Sequence, residues 1–330
     1  MSVTIRRREL LAGALFPMIL PMMLPRAVQA QSPTWPARPV TLVVPYGPGA
    51  SNDTFTRALG QSLSKRLGQP FVVDNRPGAG GFTGVNTVAR ATGDGYTLVE
   101  MPNSIVGFKP VMNVDMDPLK NLTPLGSMAS SPTALVVPAA LPVKSVAEFI
   151  AYAKANPDKT FYGYAGIGTT QHQHMELFNS LTGLKTKGVN YKSSADAQTD
   201  LLAGRLQAMI VTVASTLGQI EGGELRLLAY TDSNYPPGAP KAPTMAEVGI
   251  KGMEKAQIWW GVFGPPGMAP DLVATINRAI NESLADPNVV ALFSKSGATA
   301  KPGTPEQFVA LIKDEAALVD EFVKTLALKK

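Results

Sequence analysis

Val43-Val44-Pro45-Tyr46-Gly47-Pro48-Gly49-Ala50-Ser51 starts as an apolar strand, breaks into a glycine- and proline-rich loop, and ends where a helical pattern begins. From Phe55 the apolar positions Phe55, Ala58, Leu59, Leu63 and Leu67 follow helical spacing, and Gly68 closes the run. The same junction recurs at Val72-Val73-Asp74-Asn75-Arg76-Pro77-Gly78-Ala79-Gly80-Gly81, at Phe161-Tyr162-Gly163-Tyr164-Ala165-Gly166-Ile167-Gly168-Thr169 and at Val262-Phe263-Gly264-Pro265-Pro266-Gly267. Strand, loop and helix in repeated alternation argue for α/β layers with parallel sheets.

Such a junction has its own chemistry. Glycine turns the chain tightly and lets backbone N–H groups approach a neighbour closely. The first turn of the following helix leaves its amides unpaired at the positive end of the helix dipole. An anion is held there without lysine or arginine. Two facing junctions suit a small di- or tricarboxylate, and the chain reads as a receptor for one.

Further along, Phe71–Val73 and Tyr96–Met101 read as strands, with a helix marked by Val85, Val88 and Ala89 between them. Ala134–Val137, Phe161–Tyr164, Leu206–Val213 and Leu225–Tyr230 supply the strands of the middle section. Ser145-Val146-Ala147-Glu148 is a capping box, and its helix ends at Asn156-Pro157. The helix after the Gly166/Gly168 loop stops at Gly183. The tail is helical, with Asp271–Leu284, a short helix after Asp286-Pro287, and a last one opening at Thr304-Pro305-Glu306-Gln307. The long middle block, between Ser130-Ser131-Pro132 and Gly249–Gly252, looks like a second domain inserted into the first. Expected boundaries are 31–130 with 255–330 for one lobe and 131–254 for the other. Two chain crossings make a hinge, and a cleft between domains is a preferred ligand site.

Residues 1–30 carry an export signature. Arg6-Arg7-Arg8-Glu9 is basic, Leu10 to Leu24 is apolar but proline-broken, and Val28-Gln29-Ala30 fits a small-x-small cleavage site. The arginine pair fits either a twin-arginine or a Sec signal. Cleavage would start the mature chain at Gln31 in the periplasm. It removes four arginines and one glutamate, so the net charge falls from +5 to +2. No clustered basic face remains to suggest nucleic acid. With no cysteine, the fold uses neither a disulfide nor a lipoprotein anchor.

Catalytic constellations are thin. There is no nucleophile elbow, Walker loop or zinc-protease helix motif. Gly78-Ala79-Gly80-Gly81-Phe82-Thr83 misses the last glycine of the dinucleotide fingerprint and reads as a turn. His172, His174 and Glu176 form the histidine cluster, but His174 leaves the face that His172 and Glu176 share on a helix. A metal would need a ligand from elsewhere. His172 either touches a bound anion or pairs with Glu176. Trp259, Trp260 and Phe263 read as hinge and core packing. Neither a cofactor nor a metal is expected.

Several stretches together resemble the substrate-binding subunits of tripartite tricarboxylate transporters, the TctC or Bug family. They include Trp35-Pro36-Ala37-Arg38-Pro39, Val43 to Gly49 with Asp53, Gln69-Pro70-Phe71 through Gly81, and Asp94-Gly95-Tyr96-Thr97-Leu98. Gly166-Ile167-Gly168-Thr169 with His172 and Glu176, Asp200-Leu201-Leu202-Ala203-Gly204, and Leu225-Arg226-Leu227-Leu228-Ala229 continue the set. Ala242 to Gly249 and Trp260 to Pro265 complete it. The resemblance implies a two-lobed periplasmic binding protein of type II-like α/β fold. Each lobe would carry a mixed, mainly parallel sheet flanked by helices, and the ligand would lie between lobes. It also implies a monomer that holds a small organic carboxylate and hands it to membrane permease subunits.

Matched by position, the implied ligand-binding residues are Tyr46, Gly47, Gly49, Ala50, Ser51 and Asn52 on one lobe. On the other they are Gly166, Gly168, Thr169, Thr170 and His172, with Tyr191 in the wall. The chain departs from the family pattern at Tyr46, Gly47 and Ala50, at Asn190, and at Ser193-Ser194. Those two hydroxyls either meet a polar ligand or cap the helix near Ala195. An orphan sensory receptor is the alternative to transport, and a secreted hydrolase lacks its nucleophile and base.

Overall fold

The computed structural model describes residues 1–2, 35–49, 51–191, 193–233, 235 and 239–327, with residues 214, 255 and 325–327 described by backbone alone. The expected export segment, the mature start at Gln31 and Ala50 lie outside the described residues. From Trp35 onward, β1 (Val40–Val44) leads into α1 (Ser51–Leu67), and β2 (Phe71–Asn75) leads into α2 (Phe82–Ala89). β3 (Thr97–Pro102) runs into a 3-10 turn, Asn103–Gly107, and then α3 (Pro118–Asn121). β4 (Thr123–Pro138) is followed by α4 (Val146–Ala155), β5 (Phe161–Tyr164), α5 (Thr170–Thr182), β6 (Lys187–Asn190) and α6 (Ser194–Leu202). Next come β7 (Met209–Thr212), α7 (Leu217–Glu221), β8 (Leu225–Tyr230) and β9 (Gln257–Gly264). The tail holds α8 (Pro270–Leu284), α9 (Pro287–Lys295), β10 (Thr299–Ala300) and α10 (Pro305–Ala327).

β4 organises the molecule. Its first part, Thr123 to Pro132, pairs antiparallel with β9, and β10 joins at Ala129 and Ser130. Beyond it lie β3, β1 and β2, giving the order β10-β4-β9-β3-β1-β2. From Thr133 onward the same strand pairs with β7 and β8 instead. A two-stranded sheet, β5 with β6, stands beside β7. The α/β layering and mixed sheets agree with the sequence. The sheets are less parallel than the alternation suggests, because parallel pairs occur at β2-β1-β3 and β5-β6 while the strands that meet β4 run antiparallel. A strand that returns directly beside its predecessor needs no helical crossover.

β1, β3 and β9 are covered on both faces, which is why they read as nearly continuous apolar runs. Val40 and Leu42 pack with Phe55 and Leu59 of α1 and Ile276 and Ile280 of α8, whereas Val43 packs with Val85 of α2 and Phe308 of α10. Further along β4, Leu135 and Val137 join Phe149 of α4 and Phe178 of α5, while Val136 joins Leu201 of α6. Trp259, Trp260 and Phe263 are all core. Trp259 meets Phe308 edge-on at 5.4 Å, and Trp260 meets Phe55 edge-on at 5.0 Å.

Local signals place the helix ends. Ser145 caps α4 through the Glu148 amide, Asp286 caps α9 through Asn288, and Gly183 ends α5 in the left-handed region. Thr304 and Gln307 exchange both bonds of a capping box before α10. The 23-residue α10 packs on a face of the first sheet and reaches α5, where Phe322 meets His172 edge-on at 5.0 Å.

Candidate functional site

The first cradle forms where β1 gives way to α1. Gly49 takes a left-handed φ of 88°, a backbone that side chains seldom adopt, and its N–H donates to Asp53 Oδ2 at 3.0 Å. Asp53 also accepts from Asn75 Nδ2 at 2.9 Å and is paired with Arg57 at 2.9 Å. Asn75 Nδ2 donates in turn to the Tyr46 carbonyl at 3.1 Å. Asp53, which the motif carried without a role, is thus the clamp that sets the loop's shape. The Arg57 guanidinium, then Gly49 and Asn75, hold its carboxyl down at about 2. Gly47, Gly49 and Ser51 are exposed at the loop surface.

The deeper side of this cradle is polar. The Tyr46 hydroxyl lies 3.3 Å from Ser104 Oγ and donates towards the Gly80 carbonyl at 3.5 Å. Burial, helped by the charge of Glu100, pushes this phenol up to about 12. Asn52 Nδ2 donates to both carboxyl oxygens of Glu100, at 3.0 and 3.1 Å. Glu100 sits mid-strand in β3 opposite Val262 and is 1% exposed. Burial pushes its carboxyl up to about 8, with the Asn52 bond pulling the other way.

The second cradle forms between β5 and α5. Gly166 N–H donates to Asn190 Oδ1 at 2.9 Å, Gly168 N–H to His172 Nδ1 at 3.2 Å, and Thr169 N–H to the Gly166 carbonyl at 3.3 Å. Because Nδ1 of His172 accepts an amide proton, the neutral ring carries its own proton on Nε2. The ring stacks on Tyr164 at 3.9 Å, nearly parallel. His172 therefore lies beneath the loop as its support, and Glu176 accepts the Tyr162 hydroxyl. His174 turns away to Thr133 Oγ1 at 2.9 Å, in β4, and burial pushes it down to about 3. Among the described residues, no group of histidines and carboxylates is arranged to hold a metal ion.

The two cradles are joined through the turn after β3. Thr170 Oγ1 donates to Asn103 Oδ1 at 3.2 Å, and Asn103 Nδ2 donates to Glu315 Oε1 of α10 at 3.0 Å. Ser104, next in the chain, carries the Tyr46 contact. Gly168 takes a φ of 80°, and a Cβ there would run into the Val111 side chain, so the second loop presses on the first sheet's connection. Burial pushes Glu315 up to about 7.

Tyr191 stands apart from this chain of contacts. Its hydroxyl donates to Asp200 Oδ2 at 2.7 Å, and burial followed by that carboxylate raises the phenol to about 12. Of the Ser193-Ser194 pair, the first caps α6 and the second ties it to α5. Ser193 Oγ accepts from the Asp196 amide at 3.1 Å, and Ser194 Oγ accepts from Gln171 Nε2 at 2.7 Å.

Glu100, Asn103, Val111 and Glu315 were not singled out from the sequence, whereas Asn190, read as a departure from the family pattern, accepts the Gly166 N–H. Glu100 left a legible mark, as a lone charge inside the apolar run Leu98-Val99-Glu100-Met101. Asn103 and Glu315 left none, since their contact spans 212 residues.

Residues 55–328 match the tripartite tricarboxylate transporter family receptor, TctC. Protein BugT of Bordetella pertussis is 36% identical over 88% of this chain and 89% of its own length. A solved R. palustris protein with adipate is 34% identical, with a TM-score of 0.77, over 88% of this chain and 98% of its own. The periplasmic binding protein BugD is 30% identical, with a TM-score of 0.74, over 88% of this chain and 98% of its own.

Proposed function

The chain belongs to the tripartite tricarboxylate transporter receptor family, a family of periplasmic solute-binding proteins with a two-lobed α/β fold, and from that premise we propose that it captures a small dicarboxylate between its lobes and delivers it to membrane permease subunits. One lobe comprises 31–130 with 255–330, the other 131–254, and the protein works as a monomer after export and cleavage at Ala30. Tyr46, Gly47, Gly49, Ala50, Ser51 and Asn52 face the acid from one side; Gly166, Gly168, Thr169 and Thr170 face it from the other, with His172 beneath them and Tyr191 in the wall.

One observation carries this reading. Asn103 and Val111, on the connection after β3, touch Thr170 and Gly168, so the start of α5 is held against the same part of the first sheet that supports the start of α1. A helix start carries first-turn amides that have no partner within the helix, at the positive end of its dipole. Capture at the second loop exchanges the neutral His172 nitrogen for a charged carboxylate as the acceptor of the Gly168 N–H, and charge-assisted bonds are the stronger ones. Adipate in the R. palustris relative is an acid of the right chemistry.

A thermal-shift screen tests the reading. Dicarboxylates of four to six carbons, adipate included, are expected to raise the melting temperature, since a ligand at ~100 times its Kd stabilises by ~2.7 kcal/mol. Their diamides should leave it unmoved. A protein that responds to the amides as strongly as to the acids would contradict anion recognition.

A further inference from the structure

Resting on the carboxylate reading, we propose that Glu100 couples anion capture to proton uptake: neutral, it holds Asn52 in the first turn of α1, and ionised, it sets a buried negative charge against the incoming carboxylate. The geometry is direct. Both oxygens of Glu100 lie within 3.1 Å of Asn52 Nδ2, and Asn52 is the second residue of α1, on the cradle itself. A carboxylate arriving at that helix start and an ionised Glu100 behind it compete for one positive dipole end. Like charges so placed disfavour one another, and the balance is restored when Glu100 takes a proton from solvent.

Few other groups face it. On the strands beside Glu100, its cross-strand neighbour is Val262 of β9, and the neighbouring β1 residues Val43 and Val44 are apolar. Nothing on α2 is charged. From the β1–α1 loop the Tyr46 phenol feels its charge, and with its proton held up to about 12 it stays neutral through the range that matters. On α1, Asp53 is taken by Arg57, Gly49 and Asn75. The raised acidity midpoint of Glu100 follows from its burial and places the change just above neutral pH. Glu315, on α10, titrates about a unit lower and acts on Asn103 rather than Asn52.

Titration calorimetry with adipate as the probe, from about pH 6 to about pH 9.5, tests the coupling. Adipate is a dianion through most of that range. Wild-type affinity should be level below the Glu100 midpoint and fall by up to about tenfold per pH unit above it. Runs in buffers of different ionisation enthalpy should show a fraction of a proton taken up on binding near pH 8. Glu100→Gln keeps an acceptor for Asn52 and removes the titration, so its profile should be flat and its affinity at the alkaline end higher than wild type. Glu315→Gln should keep the alkaline slope. Any slope shared by wild type and Glu100→Gln belongs to another group, His172 included. Identical profiles in the two proteins, or binding by wild type without proton uptake, overturn the coupling and leave the carboxylate reading intact. Absence of binding by wild type at every pH overturns both.

Discussion

Gly168→Val is expected to abolish capture of any acid the protein binds, lowering affinity at least ~100-fold. Two costs combine. Gly168 holds a left-handed φ of 80°, where a β-branched residue is a genuine outlier, and an added Cβ runs into Val111. The loop must then withdraw from the connection after β3, and the amides of Gly168 and Thr169 leave the position from which they reach a carboxylate. Each charge-assisted hydrogen bond lost is worth ~1.5–3 kcal/mol. Thr169→Ala should cost far less, because its backbone donor survives and the hydroxyl serves the Gly166 carbonyl at 2.9 Å. His172→Ala removes the ring beneath the loop and should cost an intermediate amount. Titration calorimetry on the three variants, with folding checked by circular dichroism, gives the order. Val111→Ala added to Gly168→Ala relieves the collision and should recover part of the loss. A folded Gly168→Val with unchanged affinity would mean that the anion binds elsewhere.

The wild-type protein is expected to be most stable in mild acid and to lose several kcal/mol between about pH 4.5 and about pH 8. Glu100 and Glu315 are buried carboxyls raised from 4.5 to about 8 and about 7. Below about pH 4.5 they are neutral in both folded and unfolded chains, and their protonation costs nothing. Between that pH and the folded midpoints only the unfolded chain ionises, so unfolding gains ~1.4 kcal/mol per pH unit for each group. Above the midpoints the loss is complete and the curve levels. For Glu100 the total is about 3–5 kcal/mol. Asp53 works in the opposite sense. Its depressed carboxyl contributes stability that is lost as pH falls from the ordinary range through about 2. Urea unfolding across pH should show a double Glu100→Gln and Glu315→Gln variant gaining on wild type through the window from about pH 4.5 to pH 8, and level beyond it. A constant difference across pH would mean that neither carboxyl is neutral in the folded protein.

Much of the fold is legible in the sequence because its signals are local. Leu225–Tyr230 is the strand β8 residue for residue, and Gly183, Asp286 and the Thr304 capping box end or begin their helices where they stand. β4 is the instructive exception. Ala134–Val137 reads as a strand, but the structure starts it at Thr123. Pro124, Gly126, Ser127, Ser130, Ser131 and Pro132 have the composition of a loop, and pairing with β9 overrides it. The candidate site divides in the same way. The glycine loops and the helix starts can be found from spacing, and Asp53 comes with its motif. The contacts that join the two cradles, Asn103 to Thr170 and Asn103 to Glu315, exist only once the chain has folded. Ser193 illustrates a choice the sequence leaves open and the structure decides, since its hydroxyl caps α6.

The central claim is that a carboxylate is held by backbone amides at the starts of α1 and α5. Amide chemical-shift mapping of the isotope-labelled protein during titration with adipate tests it most directly. Saturable shifts are expected at Gly49, Ser51 and Asn52 in the first loop and at Gly166, Gly168 and Thr169 in the second, all with one midpoint. Saturable binding that leaves both sets of amides unmoved would contradict it.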